Sequence, residues 1–221
     1  MEKLLKKLVY YALHSATESE KVGSWPQLEA SRGYYKVKNN FVTLDNREFP
    51  DETPNLDTFT LKRIARQTDV LSADMLHSSI GIYVSDTFKN LVKKYDILNF
   101  RFYDCQLAVP DPSYKTKKTE QLPFNFLHLI DRKDNIDFTQ SVFWDLKEEK
   151  LITVDHVEQL PMFNFRRKLV LKKAPDLFRE PFSIGVLVSE RLKIAMEEAG
   201  ITGIWFEEFN NPANPELFIE E

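Results

Sequence analysis

A run of apolar residues, Ile80-Gly81-Ile82-Tyr83-Val84, is followed by the polar pair Ser85-Asp86 and then by apolar residues at helical spacing, Phe88, Leu91, Val92 and Tyr95. The same pattern returns 104 positions later: Ile184-Gly185-Val186-Leu187-Val188, then Ser189-Glu190, then Leu192, Ala195, Met196 and Ala199. Ile97 falls on Ile201 and Phe102 on Phe206, so a second apolar strand follows each helix. Each stretch predicts a strand, a capped helix and a strand, over about 80–104 and 184–208. Ser85 and Ser189 stand where a side-chain oxygen caps the free amides of a helix. Asp86 and Glu190 follow in the first turn, where a carboxylate meets the positive end of the helix dipole. Gly200 supplies the left-handed residue that ends the second helix, a place held by Asp96 in the first. A spacing of this length exceeds the roughly 20–50 residues of a solenoid period and reads as one unit used twice within a fold.

Elsewhere the pattern is less regular. Leu8–Leu13 reads as an early strand, and 14–33, broken by Gly23, Pro26 and Gly33, as loop. Tyr34–Leu44 reads as a hairpin through Asn39-Asn40, and Pro50 and Pro54 mark a linker. Thr60–Leu71 fits either a strand or a short helix. Val109–Gln121 is a loop carrying Lys115, Lys117 and Lys118. Phe124–Ile130, Ile136–Phe138, Val142–Trp144 and Leu160–Leu171 are strand candidates, and the chain from Asn210 reads as an exposed acidic end. Mixed strands and short helices without regular alternation predict an α+β fold with mixed or antiparallel sheets. The expected organisation is a single domain over 1–221, built from pseudo-repeated halves of about 1–108 and 109–221.

Composition narrows the partners. The 17 Phe and 8 Tyr predict a core, and some surface, rich in aromatic rings. A formal charge of −4 weighs against nucleic acid, which needs a concentrated basic face. No window approaches the roughly 20 apolar residues of a membrane span, and the opening residues lack a convincing signal-peptide core, so a cytoplasmic protein is expected. One Cys excludes an intrachain disulfide and any multi-Cys metal site.

Catalytic candidates fall one by one. His14, His77, His128 and His156 show no metal-ligand spacing. Cys105 sits in no nucleophile motif, and neither Ser85 nor Ser189 lies in a GxSxG elbow. Asp131, Asp134 and Asp137 form a DxxDxxD series, but Arg132 and Lys133 offset it and a solvated turn is the simpler reading. No catalytic residue, metal site or cofactor is expected. Two charged sets remain as candidate partner surfaces. One is acidic, Glu207, Glu208, Glu216, Glu220 and Glu221; the other is basic, Arg166, Arg167, Lys168, Lys172 and Lys173, in the strand that also carries Phe163 and Phe165.

The segment Val188-Ser189-Glu190-Arg191-Leu192-Lys193, with Glu197-Glu198-Ala199-Gly200-Ile201-Thr202-Gly203-Ile204 and Phe206, resembles the C-terminal signature of a family of bacterial immunity proteins that accompany polymorphic toxins and secreted effectors. Leu8–Tyr11, Thr68–Leu71, Leu127–Asp131, Ile136-Asp137 and Ser141-Val142 are similar in the same order. The loop at 110–123 is longer than that resemblance leads one to expect. The resemblance implies a binding protein that neutralises a cognate toxin and is not an enzyme. It assigns Ser85, Asp86, Ser189, Glu190 and Gly200 to the fold, and leaves toxin contacts to exposed loops and edges. A basic nuclease as toxin would favour the acidic set and an acidic toxin the basic one. A protein-binding scaffold, or an enzyme whose site assembles Asp131, Asp137 and His128 only in three dimensions, are the alternatives.

Overall fold

The computed structural model describes residues 4–30, 33–56, 58–73, 79–111, 119–131, 133–183, 185–209 and 213–220. His77, Lys115, Lys117, Lys118, Arg132, Ile184 and Glu221 lie outside them. The fold is α+β, with strands in several mixed or antiparallel sheets and few short helices.

Both capped helices form where the apolar spacing placed them, over Asp86–Val92 and Glu190–Glu198. Ser85 Oγ accepts from the Phe88 amide at 3.2 Å and Ser189 Oγ from the Leu192 amide at 3.3 Å. The second helix ends with the Ile201 amide donating to Met196 O and the Gly200 amide to Glu197 O, while Gly200 takes φ +66°. That is a Schellman ending, which needs a left-handed residue where Gly stands. The first helix ends differently. It stops at Val92, closes through single turns at Lys94 and Tyr95, and has no left-handed residue at Asp96; Asn99, three residues on, takes φ +51° instead.

Each helix joins two strands of its own sheet. The first sheet runs, in spatial order, β5 (Thr58–Thr60), β8 (Phe100–Pro110), β9 (Thr119–Leu129), β7 (Gly81–Val84) and β6 (Val70–Leu71). The second runs β13 (Leu177–Arg179), β14 (Val186–Ser189), β2 (Tyr10–Ser15) and β15 (Ile204–Glu208). The order β6-β7-β9-β8 matches β13-β14-β2-β15, and every neighbour in both is antiparallel. Register matches too. Val84 pairs with Asn125 and Val188 with Tyr11; Arg101 pairs with His128 and Trp205 with His14. Thus β2, from the start of the chain, fills the place that β9 holds in the first sheet, so the second sheet draws strands from either side of residue 108.

The helix-bearing faces close on one another. Val84, Phe88, Val92, Leu127 and Leu129 from the first unit pack in one core with Val186, Val188, Leu192 and Met196 from the second. Two aspartates lock this interface reciprocally. Asp69, ahead of β6, accepts from the Ser85 hydroxyl at 2.7 Å and from the Thr202 amide and hydroxyl, beyond the other unit's helix. Asp176, ahead of β13, accepts from the Ser189 hydroxyl at 2.6 Å, from Arg191, and from the Asp96 amide beyond the first unit's helix. Burial works against both charges, but these hydrogen bonds outweigh it and hold both carboxyls below the usual range. Gly203 lets the two units approach: a Cβ there would lie 2.2 Å from Val70 O, at a φ of +83°.

The outward faces are covered differently. The first sheet is capped by the segment around Leu28–Leu61, including the hairpin β3 (Tyr35–Val37) and β4 (Asn40–Val42). A third sheet covers the second, in the order β1 (Leu5–Lys7), β16 (Glu216–Glu220), β12 (Asn164–Leu171), β10 (Ile136–Asp145) and β11 (Lys150–Ile152). The acidic end of the chain is therefore not a free tail. Residues 216–220 sit between β1 and β12, and Leu217 is in the core with Tyr10, Phe143, Leu169 and Leu187.

Candidate partner-binding surface

The third sheet carries most of the charged candidates, and two irregularities decide which way they face. In β12, Val142 pairs with Lys168 but Phe143 with Arg166, so Arg167 is an extra, bulged residue. Leu169 and Leu171 point into the core; beyond the bulge the parity reverses, and Arg166 points inward while Phe165 points out. A longer excursion in β10 lies between Asp137 and Val142. There Asp137 accepts from Thr139 and Gln140, and Ser141 Oγ fills the gap in the ladder by accepting from the Val170 amide at 3.0 Å.

The outer face that results has an apolar row across three strands, Leu151–Trp144–Phe165, because Trp144 pairs with both neighbours. Phe163, whose carbonyl accepts from the Leu146 amide, extends it towards Met162. Phe165 is 53 % exposed, Leu151 61 %, Phe163 63 % and Met162 89 %. Exposed apolar residues gathered in one place, with aromatic and Met side chains prominent, are characteristic of surfaces that bind proteins.

The basic set does not form one patch. Arg166 is turned inward, donating to Pro181 O at 2.9 Å and lying 3.4 Å from Glu180. Burial, with help from nearby Asp131, raises the Glu180 carboxyl above its ordinary range despite Arg166. Arg167 is exposed at the bulge, and Lys168 lies over the Phe218 ring on the outer face. Lys172 and Lys173 follow the far end of β12, roughly 16 Å along the strand from Arg167 at about 3.3 Å per residue. Lys172 Nζ donates there to Asp134 O.

The acidic set is divided as well. Glu207 and Glu208 lie on β15, the edge of the second sheet, where Glu207 is 3.2 Å from His14 Nε2. Glu216 and Glu220 lie on β16, next to the basic strand: Glu216 stands opposite Lys168 and pairs with Lys7 at 2.7 Å, and Glu220 accepts from Gln140. Acidic and basic candidates therefore interleave on neighbouring strands of one sheet.

The groups of the enzymatic alternative do not converge. Asp131 accepts from the Phe182 amide and lies 3.5 Å from Lys133, while Asp137 is engaged in its own turn. His128 is fully buried against Asp45 O, Phe49 and Tyr103; desolvation, with Arg179 and Arg101 nearby, lowers its pKa to about 4. An open groove of about 550 Å³ takes in Asp137, His156 and Lys172 but neither Asp131 nor His128. Cys105 is a buried core residue whose thiol is pushed up to about 12, chiefly by burial and then by Asp104. Among the described residues, no group of three or more His, Cys, Asp or Glu is placed to hold a metal ion, and no helix is long and apolar enough to cross a membrane.

Sequence reasoning singled out Arg167 and Lys168 but missed Trp144 and Leu151. Simple alternation from Leu169 and Leu171 sends Phe165 into the core, and only the bulge turns it out. The signal present was the Phe163-x-Phe165 spacing beside the cations.

Scaffold and surface together describe an α+β protein whose third sheet presents exposed apolar and basic residues. Comparison with known families is more specific: the Immunity protein family (Imm11) matches residues 10–211, and the chain belongs to that family. The match begins at the first residue of β2 and runs past β15, so it takes in both helix-bearing units. No curated protein matches the chain.

Proposed function

We propose that this protein neutralises a cognate bacterial toxin or secreted effector by binding it, and so protects the cell that makes both. Membership of the immunity family over residues 10–211 carries this reading. The inhibition is stoichiometric and not catalytic, by a protein that is itself cytoplasmic. The divided positions of Asp131, Asp137 and His128 support a binder over an enzyme, because a catalyst needs convergent groups around one reacting atom.

Growth rescue tests it. The toxin domain encoded beside this gene is expressed in a sensitive bacterium, with and without this chain. Growth restored together with a co-purifying complex is the expected result; toxicity that persists while both proteins are soluble contradicts the pairing.

A further inference from the structure

Resting on that reading, we propose that the outer face of the third sheet, centred on Trp144 and Phe165 and flanked by Arg167, is the surface that docks the toxin, and that it fits an acidic protein surface with an apolar centre. Five of the thirteen exposed large hydrophobic side chains among the described residues, Leu146, Leu151, Met162, Phe163 and Phe165, lie on or beside this face. Their exposed area together is on the order of 500 Å², at the upper end of what a monomer ordinarily leaves open. Single exposed apolar residues need no explanation; a cluster crossing three strands does.

Charge gives the partner its sign. The chain is −4 overall, yet Lys147, in the β10–β11 turn, and Arg167 and Lys168, on β12, border the apolar row, while Lys150, paired with Asp145, belongs to the other side of the sheet. On β16, Glu216 is neutralised by Lys7, while Glu220 lies beyond the Leu171–Ile219 pair, roughly 20 Å along the sheet from Phe165 at about 3.3 Å per residue. Glu148 and Glu149, in the turn between β10 and β11, oppose these three cations with two charges. An acidic partner thus meets net positive charge around an apolar centre, the arrangement in which charge speeds encounter and aromatic burial slows departure. The geometry is also preformed. Phe165 is set by the Arg167 bulge and by pairing to Trp144, so little ordering is needed on docking.

Two variants and a control test the surface with the purified toxin domain encoded beside this gene. Phe165→Ala should weaken binding by about 30-fold or more, the range of a buried aromatic anchor. Arg167→Glu with Lys168→Glu should slow association by about 10-fold, with a weakened dependence of the association rate on salt. Phe41→Ala, at a 71 % exposed aromatic on the β3–β4 hairpin, should leave affinity within about 2-fold. Each variant is used once its thermal transition matches that of the wild type; the charge variant covers the case in which Phe165→Ala does not fold. Absence of a wild-type complex overturns the toxin-binding reading and the surface with it. A wild-type complex whose affinity and association rate survive both variants overturns the surface alone.

Discussion

The two helix-bearing units match in strand order, direction and register, yet they treat the same position in opposite ways. His128, on β9, and His14, on β2, occupy equivalent points in their sheets, beside Arg101 and Trp205 respectively. His128 is sealed beneath the Asp45–Phe49 segment and kept neutral, whereas His14 stacks on Trp205 at 4.4 Å, near Glu207 in an open region. The strand itself does not set the chemistry; what lies over its outer face does. A second contrast is connectivity. The first unit closes through a local β8–β9 hairpin, while the second waits for residues 10–15 to return from the start of the chain.

Breaking that second closure has the largest expected effect. Removing residues 1–15 strips β1 and β2, leaving β14 and β15 without their shared neighbour and taking Tyr10 from the core beneath the third sheet. Amide exchange should then show protection lost throughout β13–β15 and retained in β8 and β9. Equal loss in both units would show that they do not differ in autonomy.

Phe88→Ala and Leu192→Ala probe the shared core from its two sides. Each side chain is fully buried, and such truncations cost about 3–5 and 2–5 kcal/mol respectively. Because one core holds both units, each variant should shift a single unfolding transition in urea; two separated transitions would break the shared-core account.

The histidine contrast predicts a pH response. The buried His128 has a pKa of about 4 against about 6.5 unfolded, so below pH 6.5 the unfolded chain takes up a proton that the native protein resists. Stability contributed by neutral His128 is complete above pH 6.5 and declines towards pH 4, by about 3 kcal/mol. His128→Phe should flatten unfolding free energy across that window. Equal slopes in wild type and His128→Phe would contradict the assignment.

The aspartate locks are expected to be unequal. Asp176→Ala strands Arg191, the Ser189 hydroxyl and the Asp96 amide, at about 2 kcal/mol. Asp69→Ala, at a more exposed site, should cost about 1 kcal/mol. Both carboxyls are held low in the folded protein, so their contribution is present above about pH 4 and fades as pH falls through their depressed values. Double-mutant cycles with Thr202→Val and Ser189→Ala would resolve each lock. Ser85→Ala and Ser189→Ala each remove a helix cap together with one bond of a lock, and should each lose about 1 kcal/mol in thermal unfolding, comparable to Asp69→Ala.

Both helices and the strands around them were legible, because polar cap, helical spacing and strand runs agree there with the tertiary packing. The completion of the second sheet by residues 10–15 was not: a short apolar strand does not announce its partner, and in register β2 and β9 share only the pair Leu13-His14 and Leu127-His128. The chain from Asn210 reads as an exposed acidic end because Glu216 and Glu220 hide the alternation that buries Leu217 within a paired strand. The candidate surface was half visible. Arg167 and Lys168 stood out as cations, but the outward turn of Phe165 depends on a bulge that no local pattern marks.

The central claim is that this chain acts by occupying its toxin, and titration tests it most directly. Purified protein is added in steps to a fixed amount of the neighbouring gene's toxin domain, and the toxin's activity is followed. A binder removes activity in proportion and reaches its end point near one equivalent. Complete neutralisation at a small fraction of an equivalent, or full activity at a large excess, would contradict the account.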